Sequence, residues 1–163
     1  MNFQDLPQKE EKTMKRKSDI FPIGNITFTA ENNRIVSIEI TDEKYNDCDE
    51  VLSIAISQLH EYFNGNRKTF DFEIGYTSGT RFQQKIWDLL RSIPYGETVT
   101  YGELAAMADC PKGARAIGNA VHNNPLLIVN PCHRVVAANG KIGGFAYGTE
   151  MKISLLNLEE RYK

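Results

Sequence analysis

Two helix-start signatures constrain this chain more than any other feature. Thr80 stands three residues before Gln83, and Thr100 three residues before Glu103. In each case a hydroxyl can accept from the N3 amide while the Gln or Glu reaches back, a reciprocal cap that only a helix N-terminus uses. The first signature predicts a helix running to about Ile93, with Phe82, Ile86, Trp87, Leu89 and Leu90 facing inward and Pro94-Tyr95-Gly96 ending it. The second predicts a short helix over Tyr101 to Ala108. Pro111, suited to a first helical position, predicts a third through about His122, stopped by Asn123-Asn124-Pro125. Two short helices joined by Asp109-Cys110 have the pattern of a helix-turn-helix. A last helix is expected from Thr149 to about Glu160.

The texture upstream is different. Asn25–Ala30 and Arg34–Ile40 alternate like strands around a Glu31-Asn32-Asn33 turn. Glu50 to Phe63 carries Leu52, Ala55, Ile56, Leu59 and Phe63 at helical spacing, with Gly65 at a plausible C′ position. Thr69–Ile74 alternates again and predicts a further strand. Gly75 to Gly79 marks a boundary. The organisation expected is therefore a mobile tail over 1–18, a small α/β domain over 19–76 and a mostly helical domain over 80–163, an α/β (α+β) chain. Within the second domain, Leu126–Val129 is expected as a strand continuing through Pro131-Cys132-His133-Arg134 to Val135 and Val136. Asn139-Gly140 predicts a turn, and Gly143-Gly144 a flexible loop.

With 163 residues, 41% of them apolar, the chain can bury a core without disulfides. Its apolar runs are too short for a membrane span. Its charged N-terminus lacks the apolar stretch of a signal peptide, so an intracellular, cytoplasmic protein is expected. The three cysteines, Cys48, Cys110 and Cys132, form no CxxC pair and combine with no histidine in a zinc-like pattern, so free thiols and no metal are expected. Net charge is −2, but residues 1–80 carry −5 and residues 81–163 carry +3. A mildly basic C-terminal half can approach phosphate.

Pro131-Cys132-His133-Arg134-Val135 carries the most chemistry. A thiol attacks as thiolate and needs a base or a positive neighbour. On an extended strand Cys132 and His133 point to opposite sides, so a bridging water would link them. A Cys-His pair alone is weak evidence. Its position between a helix pair and a glycine-rich loop raises its weight.

From about Arg81 to Glu160 the sequence resembles the methylated-DNA–protein-cysteine methyltransferases, also called O6-alkylguanine-DNA alkyltransferases. The resemblance rests on Phe82-Gln83-Gln84 with Trp87, on Pro94-Tyr95-Gly96, and on Thr100-Tyr101-Gly102-Glu103-Leu104-Ala105. It continues through Pro111-Lys112-Gly113-Ala114-Arg115-Ala116-Ile117-Gly118, Asn124-Pro125, Pro131 to Val136 and Gly143-Gly144. It implies a ribonuclease-H-like N-terminal domain and a cofactor-free, single-use transfer from O6-alkylguanine in duplex DNA, with O4-alkylthymine as a further substrate. Cys132 would accept the alkyl group. His133 would deprotonate it through a water, and Glu159 would orient His133. Tyr101 would donate to the leaving base. Arg115 would fill the gap left by the flipped nucleotide, on a helix whose Ala114 and Gly118 allow close approach to the minor groove. Asn124 would brace the cysteine turn, and Val135, Phe145 and Ala146 would border the base pocket. Arg134 would be structural. A monomer is expected, with DNA as partner and no membrane.

Without the resemblance, Tyr101 and Arg115 read as ordinary helix residues and Glu159, beside Glu160, as part of an acidic surface. The chain also departs from the family pattern. Asn130 replaces the usual aliphatic residue before Pro131, Phe145 a common tyrosine, and Tyr147 stands on a variable pocket rim. Three other readings remain open: a lesion-binding protein without transfer, a cysteine hydrolase or redox enzyme, and a helix-turn-helix regulator.

Overall fold

A computed structural model describes residues 14–163. Its N-terminal part is a three-stranded antiparallel sheet, order β1-β2-β3, formed by β1 (Met14–Phe21), β2 (Gly24–Glu31) and β3 (Arg34–Ile40). The β2–β3 turn is the one the sequence marks. Asn32 and Asn33 adopt φ of 52° and 61°, the left-handed pair that lets a two-residue hairpin follow the strand twist. The tail expectation fails for residues 14–18, which belong to β1; residues 1–13 lie outside the described part. Lys15, Arg16, Lys17 and Asp19 disguise β1 in the sequence because it is an edge strand, where exposed charge is tolerated and blocks further pairing.

Helix α1 (Glu50–Phe63) has the bounds the periodicity predicts. Asp49 caps its start, accepting from the Val51 and Leu52 amides. At its end Gly65, with φ of 78°, donates to Tyr62 O and Asn66 donates to Glu61 O, so two otherwise orphaned carbonyls are satisfied. Its Leu52, Ala55, Leu59 and Tyr62 pack on Phe28, Ile26 and Ile38 of the sheet. Thr69–Ile74 is not a strand. Only Ile74 bridges, to Ile35, while Phe70, Phe72 and Ile74 lie against the core. The alternation there records packing rather than a hydrogen-bonded ladder.

The C-terminal part contains α2 (Arg81–Leu90), α3 (Tyr101–Met107), α4 (Ala114–His122) and α5 (Thr149–Arg161), with β4 (Val99–Thr100) parallel to β5 (Val135–Val136). Both predicted capping boxes are formed. Helix α2 ends at Leu90, three residues before its expected limit. Helix α4 begins at Ala114 rather than Pro111, because Cys110–Gly113 closes a turn first, with the Gly113 amide on Cys110 O. Trp87 ties α2 to α4 by donating Nε1–H to Ala120 O at 2.7 Å.

Two cores result. One joins the sheet and α1 to Leu126, Leu127, Ile128, Val129 and Leu155 from the C-terminal part. The other joins Ile86, Trp87, Leu90, Leu104, Ile117 and Ala120 to Cys132 and Val135. The segment before Cys132 is thus anchored in the first core and delivers its thiol to the second. Among the described residues no helix is long and apolar enough to cross a membrane.

Candidate active site

Cys132 lies at the start of a 3-10 turn, Cys132–Arg134, and not on the expected strand. Leu126–Val129 is likewise no strand; only Leu126 bridges, to Ile38. Overlapping turns replace it. Asn130 donates its amide to Leu126 O, Cys132 to Asn130 O at 2.7 Å, and Arg134 to Pro131 O. Ile128 adopts φ of 69°, an uncommon conformation for a β-branched residue, held by burial of Leu127, Ile128 and Val129. The turn makes Cys132, His133 and Arg134 all buried, so the opposite-sides argument for a strand does not apply.

Asn124 secures these turns from inside. Its Oδ1 accepts from Leu126 N at 3.0 Å, and its Nδ2 donates to Asn130 O at 2.8 Å. It stands behind the cysteine, not among the residues lining the pocket in front.

Glu159 of α5 organises the other side. It is 1% exposed and accepts from His133 Nε2 at 2.5 Å, Arg134 Nε at 2.7 Å and Tyr62 Oη at 2.6 Å, with further donors in Arg134 Nη2 and the Gly96 amide. Burial alone would raise this carboxyl, but His133 and Arg134 hold it far below the usual carboxylate range. Arg134 supplies the compensating charge. His133 therefore stays neutral, its pKa lowered chiefly by burial, although the geometry of an ion pair with Glu159 is also present. An ionised carboxylate only accepts, so Nε2 must carry the proton and Nδ1 the lone pair. His133 Nδ1 is buried and has no hydrogen-bond partner among the described residues.

The Cys132 thiol is pushed up by burial and opposed by the Asn124 amide and the Lys152 charge. The resting pair is therefore a neutral thiol and a neutral imidazole whose basic nitrogen is uncommitted.

Lys152 is a residue that sequence reading missed. It is 0% exposed, and its Nζ donates to Val135 O at 2.5 Å and Gly144 O at 3.0 Å. Its cue was position: Lys152, Leu155 and Glu159 share one face of α5, where an apolar residue would be ordinary. Burial lowers its pKa and the Cys132 sulfur opposes that.

A pocket of about 180 Å³ opens at Cys132, lined by Tyr101, Gly118, Val121, His122, Gly144, Phe145 and Ala146. The short β4–β5 ladder places Tyr101, the residue after β4, over the sulfur's side of the pocket. Gly143, at φ of 78°, passes so close that a Cβ would stand 3.4 Å from the Tyr101 ring and 3.2 Å from Ala137 N. Val135 does not line the pocket; its side chain is fully buried in the second core. Ala114 and Arg115 are exposed on α4, and among the described residues Arg115 has no hydrogen-bond or ionic partner. A larger cavity of about 320 Å³, between Lys68, Phe72, Arg91, Tyr95 and Arg134, does not include Cys132. Cys48 and Cys110 are free thiols away from the site, and no group of three or more His, Cys, Asp or Glu among the described residues could hold a metal ion.

These features define a class: a protein with a buried cysteine, a neighbouring histidine fixed by a buried carboxylate, and a small pocket beside a helix that carries an exposed arginine. Comparison with known proteins gives the family. Residues 81–161 match the 6-O-methylguanine DNA methyltransferase DNA binding domain, and residues 20–76 match the ribonuclease-like domain of the same family. A relative from Methanosarcina acetivorans named methylated-DNA–protein-cysteine methyltransferase is 46% identical over 122 residues, 75% of this chain and 77% of its own length. One of the same name from Mycolicibacterium paratuberculosis is 38% identical over 148 residues, covering 86% and 89%. A crystal structure of Mycobacterium tuberculosis OGT in complex with DNA superposes with a TM-score of 0.82 at 36 to 37% identity in that group of structures, covering 91% of this chain and 94% of that one. The chain belongs to the 6-O-methylguanine DNA methyltransferase family.

Proposed function

We propose that the protein repairs duplex DNA by moving the alkyl group of O6-alkylguanine onto Sγ of Cys132, once per molecule. The observation that carries this reading is His133: Nε2 is committed to Glu159, while buried Nδ1 has no partner among the described residues. The DNA complex of the Mycobacterium tuberculosis relative supports the partner.

The thiol proton passes through one water to His133 Nδ1, and Glu159 stabilises the imidazolium that forms. The sulfur attacks the alkyl carbon, an S–C bond forms, and the C–O6 bond breaks with its electron pair going to guanine. Tyr101 donates its hydroxyl to the base as that charge develops. Lys152 holds the Val135 and Gly144 carbonyls and favours the thiolate. A thioether is stable to the groups of this site, so the protein acts stoichiometrically; we propose further that it does so as a monomer and without a cofactor.

A base inside a duplex is out of reach of a buried sulfur. The nucleotide must be extruded, at roughly a few kcal/mol. Arg115, exposed and unengaged, takes the vacated space, and Ala114 and Gly118 let α4 approach the minor groove. O4-alkylthymine is a second substrate of the same pocket. The test is a duplex carrying O6-methylguanine with a tritiated methyl. Label should move to the wild-type protein and not to Cys132→Ala. Label on the variant, or methyl released without labelled protein, would overturn the proposal.

A further inference from the structure

Asn130, the departure from the family pattern, is fully buried and sits in a directed chain of hydrogen bonds. Its Oδ1 accepts from Arg91 Nη1 at 2.6 Å. Its Nδ2 donates to Asn124 Oδ1 at 3.1 Å and to Tyr76 Oη at 3.3 Å. Asn124 Oδ1 also receives the Leu126 amide. Two donors on that oxygen fix the orientation of the Asn124 amide, so its Nδ2 faces the Leu126 and Asn130 carbonyls. Asn130 O meanwhile accepts the Cys132 amide itself.

Every donor in this chain runs the same way, from guanidinium to amide to amide to the Asn130 carbonyl that also accepts the Cys132 amide. Aligned hydrogen bonds polarise one another, and a cation at the head strengthens the last donor. The Asn124 amide opposes the burial that pushes the Cys132 thiol up, and so favours thiolate over thiol. Arg91 is held at the head of the chain by Asp88 Oδ1 at 2.7 Å and Tyr76 Oη at 2.8 Å. An aliphatic residue at 130 would leave the Arg91 charge disconnected from the thiol.

We propose that Arg91 is a positioning residue for alkyl transfer, acting through Asn130 and Asn124 to hold the turn that carries Cys132 in the setting that favours its thiolate. The inference rests on Cys132 being the acceptor. Other groups also face the sulfur: Lys152 from α5, Tyr101 from α3, Tyr147 from the loop, and His133 with Glu159 behind it. Asp88 and Tyr76 face Arg91, and Lys68 and Arg134 share its cavity. Among the described residues none of Lys152, Tyr101, Tyr147, His133 and Glu159 hydrogen-bonds Arg91 or Asn130, whereas Asp88 and Tyr76 lose a partner with Arg91, so the comparison with Asn130→Leu, which keeps the Arg91–Asp88 pair, isolates the chain of amides.

The test uses the full chain and two reagents. The rate of Cys132 carboxamidomethylation by iodoacetamide, read on the Cys132 peptide, is followed from pH 6 to pH 10, alongside methyl transfer from an O6-methylguanine duplex. In Arg91→Met the midpoint should move to higher pH. Labelling at pH 7.5 should then be about three- to tenfold slower, as expected for losing one partly screened charge, with the high-pH plateau unchanged. Arg91→Lys should recover part of the loss. Asn130→Leu should reproduce the shift, and adding Arg91→Met to it should shift the midpoint no further. An unmoved midpoint with a lowered plateau would show a merely structural role and overturn the proposal, as would additive shifts in the double variant. If Asn130→Leu does not fold, the half-exposed Arg91 and its two variants decide alone. The iodoacetamide profile reads Arg91's influence whichever residue accepts the DNA-derived methyl, so failure of the acceptor assignment is separately visible.

Discussion

Replacing Glu159 by Gln tests the centre of the site most severely. The carboxylate collects five donors, and its closest charge partner, Arg134, is itself nearly buried, with 7% of its side chain exposed. Glutamine keeps the volume but offers one accepting oxygen and an NH₂ that faces donors. Arg134 is then a buried charge without compensation. Breaking a buried pair from one side costs about 3–5 kcal/mol. At about 2–4 °C per kcal/mol for a chain of this size, Tm should fall by roughly 6–20 °C. The loss has a pH signature. The folded carboxyl titrates well below its unfolded value of about 4.3, so its contribution is fully present above that pH and fades as pH falls below it. The gap between wild type and Glu159→Gln, measured by urea unfolding, should be full at pH 7 and shrink below about pH 4.3. Transfer should also slow by about 10²-fold or more, because nothing then fixes the His133 tautomer. A variant within 2 °C of wild type that transfers at the same rate would show that Glu159 neither compensates the buried Arg134 charge nor fixes the His133 tautomer.

Three further outcomes follow from the same geometry. Tyr62→Phe removes one donor from Glu159 but leaves four, so urea unfolding should show a loss near the low end for a bond to a charged group, about 1.5 kcal/mol. Lys152→Met takes the donor from the Val135 and Gly144 carbonyls, at about 1–3 kcal/mol for each left unsatisfied; Tm should fall by several degrees while the thiol midpoint rises and transfer slows about tenfold or more. Arg115→Ala should leave iodoacetamide labelling of Cys132 unchanged and slow transfer from duplex DNA by about tenfold or more, since Arg115 is exposed and touches nothing in the site; equal loss with both reagents would contradict a role on DNA.

The parts of the fold legible in the sequence are those set by near neighbours. Thr80 with Gln83, Thr100 with Glu103, and Gly65 after α1 are local devices, and each appears in the structure where the residues put it. The segment from Leu126 to Arg134 was misread because its shape is imposed from a distance. Apolar residues in a row suggest a strand, but Asn124, Asn130 and the buried Ile128 at positive φ fold it into successive turns. Glu159 next to Glu160 looks like surface charge; its five donors come from residues as far away as Tyr62. Lys152 was invisible for the same reason, since its two carbonyl partners belong to β5 and the glycine loop. Asn130 stood out in the sequence only as an oddity, and its partners Arg91 and Tyr76 give the oddity a physical setting.

The central claim is that one alkyl group ends as a thioether on one residue. Intact-protein and peptide mass spectrometry after incubation with excess O6-methylguanine duplex tests it most directly. Mass should rise by one methyl per molecule and no further with time, confined to the Cys132 peptide and absent from Cys132→Ala. Unmodified protein that binds the lesion tightly, or methyl on any other residue, would contradict it.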